Sequence, residues 1–237
     1  MILVASGKGG VGKSVFTSNI GATFAERGLK TALIDMNVGL RNLDIYMGLE
    51  SKVVFDTADV IGGIVSIKRA LVQDKRFQRL YLLAATQKKE KFTARPDDIL
   101  SLYRYFRENF DITFVDGPAG ITDDLILAAN GVDAAVLITT PEHVSLRDAD
   151  MAEQTLGKCG VKQRMYVVNK VSKQYVSSGI LPTVETITTV MKIPLLGVVQ
   201  FDDNIYLSTN CGIPIVCGQG SYIERNFGKI ADRLLMY

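Results

Sequence analysis

Eight consecutive residues, Gly7-Lys8-Gly9-Gly10-Val11-Gly12-Lys13-Ser14, constrain the fold more than any other stretch of the chain. They match the phosphate-loop pattern G-x-x-x-x-G-K-[ST]. The apolar run Ile2-Leu3-Val4-Ala5 precedes them and an amphipathic stretch over residues 14–27 follows, the strand, loop, helix context that the pattern requires. Glycines lack a Cβ, so the chain can turn tightly enough to aim successive N–H groups at an anion, and the helix behind adds its positive end. Gly7, Gly9, Gly10 and Gly12 are expected to build that cradle, with Val11 and Val15 among the binding residues. Lys13 is expected to reach the β- and γ-phosphates as a point charge, and the Ser14 hydroxyl to hold Mg²⁺.

Bulk properties narrow the chemistry. The 237 residues carry no Pro/Gly/Ser-rich spacer, low-complexity tract or internal repeat, so residues 1–237 are read as one domain. Net charge is +2, from 27 basic and 25 acidic residues, which gives no strong nucleic-acid signal. Cys159, Cys211 and Cys217 form no C-x-x-C pair and read as reduced thiols, and the lone His143 reads as solvent-facing, so transition-metal chemistry lacks ligands. Any chemistry must then run on phosphate and magnesium. The short N-terminal apolar run leads straight into the phosphate loop, unlike a signal peptide, and no stretch reaches the roughly 18 apolar residues of a membrane span. The cytoplasm is the expected location.

Short apolar runs alternate with helical patterns along the chain. Strands are expected at residues 2–5, 31–35, 80–84, 112–116, 134–139, 165–168, 195–199 and 214–216, and helices at 14–27, 97–109, 123–129, 145–158 and 183–191. Strands that read as unbroken Val/Ile/Leu runs are buried on both faces, which implies a doubly wound α/β fold: a mostly parallel sheet flanked by helices. Ligands of such folds sit at the carboxyl ends of the strands. Asp116 closes the run Ile112-Thr113-Phe114-Val115 and Asp35 closes Thr31-Ala32-Leu33-Ile34. Asp116 is therefore expected to hold Mg²⁺ through water, with Asp35 beside it in the catalytic set.

The octapeptide with its additional lysine, Lys8, is similar to the deviant Walker A signature of the MinD/ParA group of P-loop ATPases. Residues 33–44, Leu-Ile-Asp-Met-Asn-Val-Gly-Leu-Arg-Asn-Leu-Asp, resemble the switch I segment of the septum-site-determining, MinD-like branch. Residues 54–56, 70–76, 116–120, 140–142 and 145–150 resemble later segments of the same branch. The resemblance covers nearly the whole chain. It implies ATP and ADP as nucleotides, ATP hydrolysis, and a homodimer that forms around two ATP molecules, with Lys8 of one copy reaching the phosphates held by the other. It further implies that Asn169 reads adenine, that Gln200 lies along the base, and that a cell-division regulator docks near Ser145 to Asp150. Two alternatives are a DNA-partitioning or polar-positioning ATPase of the ParA kind and a MinD-like scaffold that does not hydrolyse.

Two departures from the family pattern matter. Asn37 stands where the family usually has aspartate, two residues after Asp35, in the position that orients the attacking water. Asparagine has a carbonyl to orient water but no charge, so ATP binding and dimerisation are expected to persist while hydrolysis slows. The chain also stops at Tyr237, at the end of what reads as the last domain helix, whose apolar residues Ile223, Phe227, Ile230, Ala231 and Leu234 share one face. That helix is expected to pack on the sheet, leaving membrane association to a partner at the inner face.

Overall fold

A computed structural model of the chain describes residues 1–218 and 220–237. Its strands, all in one sheet, are β1 (Ile2–Ser6), β2 (Thr31–Asp35), β3 (Val72–Gln73), β4 (Leu80–Leu83), β5 (Ile112–Ala119), β6 (Ala134–Thr139), β7 (Gln163–Val171) and β8 (Leu195–Gln200). They lie in the order β3-β4-β2-β5-β1-β6-β7-β8, and every pairing is parallel except that of β3 with β4. The helices are α1 (Lys13–Glu26), α2 (Leu43–Tyr46), α3 (Thr57–Ile61), α4 (Ile67–Ala70), α5 (Pro96–Asn109), α6 (Asp123–Ala129), α7 (His143–Lys158), α8 (Lys173–Ser177), α9 (Val184–Met191), α10 (Asp203–Asn210) and α11 (Tyr222–Leu234).

Side chains alternate across each strand, so the sheet feeds two apolar layers. On one face Val4, Leu33, Phe114 and Val136 pack with Phe16, Ile20 and Phe24 of α1 and Ile223, Phe227 and Ile230 of α11. On the other, Leu3, Ile34, Val115 and Leu137 meet Ile99, Tyr103 and Phe106 of α5, Leu146 and Ala149 of α7, and Ile187 and Met191 of α9. Burying each such side chain contributes about 1.5–3 kcal/mol before the entropy of ordering it is subtracted. The apolar face of α11 is thus spent on the sheet, as its spacing predicts. No described helix is long and apolar enough to cross a membrane.

The seven long strands fall where the sequence places them; the exceptions are short. Residues 214–216 were expected to be extended, yet Ile215–Cys217 form a 3₁₀ turn. The reason is local: the Val216 N–H donates to Asn19 Oδ1 on α1 at 3.3 Å, and the Val216 side chain enters the layer shared with α11. β3, only two residues long, closes one edge of the sheet. At the opposite edge, two side chains of α11 donate to β8 carbonyls: Asn226 Nδ2 to Val198 O at 2.5 Å and Arg233 Nη1 to Leu196 O at 2.6 Å.

The central strand β1 sits between β5 and β6; from β1 the chain crosses to β2 on the β5 side, and from β5 it crosses back past β1 to β6 on the other side. That reversal opens a crevice at the carboxyl end of β1, where doubly wound sheets bind ligands.

Candidate functional site

The loop of residues 7–12 fills that crevice and hands the chain to α1. Gly10 and Gly12 adopt φ of 79° and 94°, a region that excludes ordinary side chains. Gly7 is required for a different reason: a Cβ there would fall on the backbone carbonyl of Asp148 in α7. Gly9 is under no such constraint, its nearest neighbour being the Ala119 Cβ at 3.9 Å. Two of the four glycines thus serve the turn and one serves packing, a finer division than the pattern alone predicts.

Side chains hold the loop's carbonyls. Ser6 Oγ donates to Lys8 O at 2.9 Å, Lys170 Nζ to Gly10 O at 2.7 Å, and Asn169 Nδ2 to Val11 O at 2.8 Å. Across a trans peptide the next N–H points away from the carbonyl, and no peptide among the described residues is cis. The amides of Gly9, Val11 and Gly12 are therefore turned to the other side, which is the arrangement an anion needs. Lys170 was not anticipated. It sits at a register shift in β7, between Val168 and Val171, with φ of 57°, and that irregularity aims both Asn169 and Lys170 at the loop.

Behind the loop, donors converge on one carboxylate. Asp116 is fully buried and accepts from Ser14 Oγ at 2.5 Å, Thr17 Oγ1 at 3.1 Å and Asn37 Nδ2 at 2.9 Å, with Lys13 Nζ 3.5 Å away. Asp35, its direct neighbour in register, is also fully buried and accepts the N–H groups of Asn37 at 2.8 Å and Leu43 at 3.1 Å. Burial first, and the Asp116 charge second, push the Asp35 carboxyl up to about 7; the two N–H donors and Lys13 pull the other way. Asp116 has one ammonium within ion-pair reach, that of Lys13, while Lys8 and Lys170 add positive charge to the lining of the cleft. A hydroxyl and a carboxylate are hard oxygen donors that suit Mg²⁺, which keeps part of its water shell and needs few protein ligands.

The resulting cleft of about 510 Å³ is lined by every residue of the loop from Lys8 to Val15, by Asn37, and by Asn169 and Gln200. Lys8 is half-buried, and its ammonium enters no ion pair among the described residues. The far wall comes from Phe201, in the segment that follows Gln200 and was expected along the base, and from α10, which the sequence did not foretell and where Ile205 and Tyr206 face the cleft. Phe201 and Tyr206 are 61% and 69% exposed, large apolar surfaces left open beside a polar loop. His143 is exposed at the first turn of α7, as a solvent-facing residue should be.

Residues 2–215 match the family model described as the CobQ/CobB/MinD/ParA nucleotide binding domain. The chain belongs to this family. Within it, the chain is 36% identical to the septum site-determining protein MinD of Bacillus subtilis over 236 residues, covering 99% of this chain and 88% of the relative. The MinC:MinD cell division protein complex of Aquifex aeolicus superposes with a TM-score of 0.89 at 35% identity, covering 100% and 96% of the two chains. MinD of Pyrococcus horikoshii complexed with Mg-ADP superposes at 0.88 and 27% identity, covering 98% and 94%. Family and geometry agree: loop amides, Lys13, and the Ser14 and Asp116 oxygens suit a nucleotide phosphate carrying a hard divalent cation.

Proposed function

We propose that residues 1–237 act as one unit, a MinD-type ATPase that binds Mg·ATP, pairs with a second copy of itself and uses the ATP-bound state to position division-site machinery. The observation that carries this reading is the convergence of the loop from Lys8 to Val15 on one cleft, with Lys13 and Ser14 in its lining and the buried Asp116 behind them in contact with both.

Mg²⁺, when bound, offsets the charge on the β- and γ-phosphates. The loop amides hold the phosphates and Lys13 adds a point charge. Ser14, and Asp116 through water, would hold the ion, and Asp116 keeps Ser14 oriented through their 2.5 Å hydrogen bond. Asp35 holds the start of the switch segment through the Asn37 and Leu43 amides. Asn169 and Gln200 take the base, with Phe201 and Tyr206 offering a surface for its ring. Lys8, whose ammonium enters no ion pair among the described residues, neutralises phosphate charge in a second copy, which makes assembly and charge compensation one event.

Asn37 sets the pace of the off-step. Its amide nitrogen is committed to Asp116, which leaves its carbonyl to orient a water, and it has no charge to draw a proton. Hydrolysis is therefore slow. At the docking segment, Ser145, Leu146 and Ala149 are buried, so a regulator meets Arg147 together with Val144 and Met151, exposed by 56% and 51%. The protein works in the cytoplasm and reaches the membrane's inner face through such a partner. Near-neutral charge disfavours the DNA-partitioning alternative.

Light scattering and single-turnover hydrolysis on one preparation test the reading. ATP with Mg²⁺ is expected to double the scattering mass of the wild type and of Asn37→Asp, but not of Lys8→Ala. Asn37→Asp is expected to hydrolyse faster, by about 10²-fold where the carboxylate acts as a base. A mass that ignores ATP, or an Asn37→Asp rate equal to wild type, rejects the respective half of the proposal.

A further inference from the structure

The segment Gln73-Asp74-Lys75-Arg76 lines no part of the cleft, yet it carries a buried charge. Asp74 is 1% exposed and is matched by Arg76, whose Nε lies 3.0 Å from Asp74 Oδ1 and whose Nη2 lies 2.6 Å from Oδ2. The same guanidinium reaches two further segments. Nη1 donates to Gly212 O at 2.8 Å and Nη2 donates to Met47 O. Met47 caps the end of α2, and Gly212 lies in the turn that follows α10.

The two carbonyl-bearing turns are built to meet. Gly48 and Gly212 have φ of 57° and 65°, and a Cβ on Gly48 would stand 2.8 Å from Gly212 O. Backbone lies on backbone at this point, with the Arg76 fork across the seam. Each turn ends an element that borders the cleft. α2 begins at Leu43, whose N–H is held by Asp35 at the phosphate end, and α10 carries Ile205 and Tyr206 on the opposite wall.

We propose that Arg76 is a positioning residue that couples the phosphate end of the cleft to its opposite wall, so that ordering the switch segment also orders α10 and the turn at Gly212. The inference rests on the reading of the cleft as a nucleotide site and deepens it. A planar fork with five donors can satisfy a carboxylate and two carbonyls at once; an ammonium on a flexible stem cannot hold the same three in register. Coupling through a shared contact must be reciprocal, so ligands confined to one end should register at the other.

Hydrogen–deuterium exchange of the whole chain with Mg²⁺ and inorganic tripolyphosphate, a probe of the phosphate end alone, is the test. In the wild type, tripolyphosphate is expected to protect residues 205–213 as well as 7–14. In Arg76→Lys the protection of 7–14 remains and that of 205–213 is lost. In the same variant, ATP affinity falls about tenfold while tripolyphosphate affinity stays within about twofold. Protection confined to 7–14 in the wild type overturns the proposal without any variant, so it stays decidable even where Arg76→Lys fails to fold. Equal loss of both ligands in a folded Arg76→Lys also overturns it, because a plain structural staple would weaken both alike. Failure of the wild type to bind either ligand defeats the nucleotide reading itself, and this inference with it, before any substitution is compared.

Discussion

Replacing Asn37 by aspartate sets a third carboxyl directly against the buried pair of Asp35 and Asp116. The Asn37 side chain donates to Asp116 Oδ2 at 2.9 Å, and its backbone N–H donates to Asp35 Oδ1 at 2.8 Å, with only 6% of the residue exposed. In the nucleotide-free chain, aspartate at 37 deletes a hydrogen bond to a charged group, worth about 1.5–3 kcal/mol, and sets a like charge in its place. At 2.9 Å and an effective dielectric of about 20, Coulomb repulsion is about 6 kcal/mol. Proton uptake is the cheaper relief: at pH 7, protonating a carboxyl of ordinary pKa near 3.9 costs about 4 kcal/mol, which caps the penalty. A net loss of about 2–4 kcal/mol corresponds, in a chain this long, to a melting point lowered by about 5–15 °C. The carboxyl that takes the proton has its folded pKa raised above the unfolded one, so the penalty must shrink as pH falls toward 5. Calorimetric or circular-dichroism melts of both chains at pH 7 and pH 5, without nucleotide, measure it. Equal melting points at pH 7, or a gap that widens on acidification, refute the reasoning.

Three further outcomes are expected. Asp35, raised to about 7, contributes stability that is fully present below about pH 4 and is lost as pH rises through 7. The urea midpoint should therefore fall across that window, and Asp35→Asn should flatten the slope; an unchanged slope refutes it. Gly7→Ala, whose Cβ lands on the Asp148 carbonyl, should lower stability by about 1–3 kcal/mol in denaturant titration, whereas Gly9→Ala, with open space, should leave it nearly unchanged. Burial pushes the Cys217 thiol up to about 11 while Cys211 is exposed, so iodoacetamide at pH 8 should label Cys211 first by peptide mapping; equal rates would contradict this.

The legible parts of the fold are those with long, one-signal segments. Seven apolar runs with helical patterns between them fixed the sheet, because a strand buried on both faces has no polar alternation to confuse its reading. β3 escaped notice because two residues carry no period, and the run Pro214-Ile215-Val216 looked extended because composition does not show that Asn19 waits for the Val216 amide. In the cleft, the loop and the strand-end carboxylates were visible as motifs. Lys170 was not, although it directly follows Asn169; its role depends on a left-handed backbone that no side-chain preference announces. Arg76 lies farthest from legibility, since its partners Met47 and Gly212 are distant in sequence and both contribute carbonyls, which every residue has.

The two borders of the sheet have a consequence for how copies of this chain meet. β3 offers only two residues to an incoming strand, and on β8 the carbonyls of Leu196 and Val198 are already occupied by Arg233 and Asn226 of α11. Neither border is a good template for strand addition, the route by which open parallel sheets aggregate. Under the proposed function, in which copies gather on ATP and part again, this matters because encounters at the borders come apart and those across the phosphate loop are left to the control of the nucleotide.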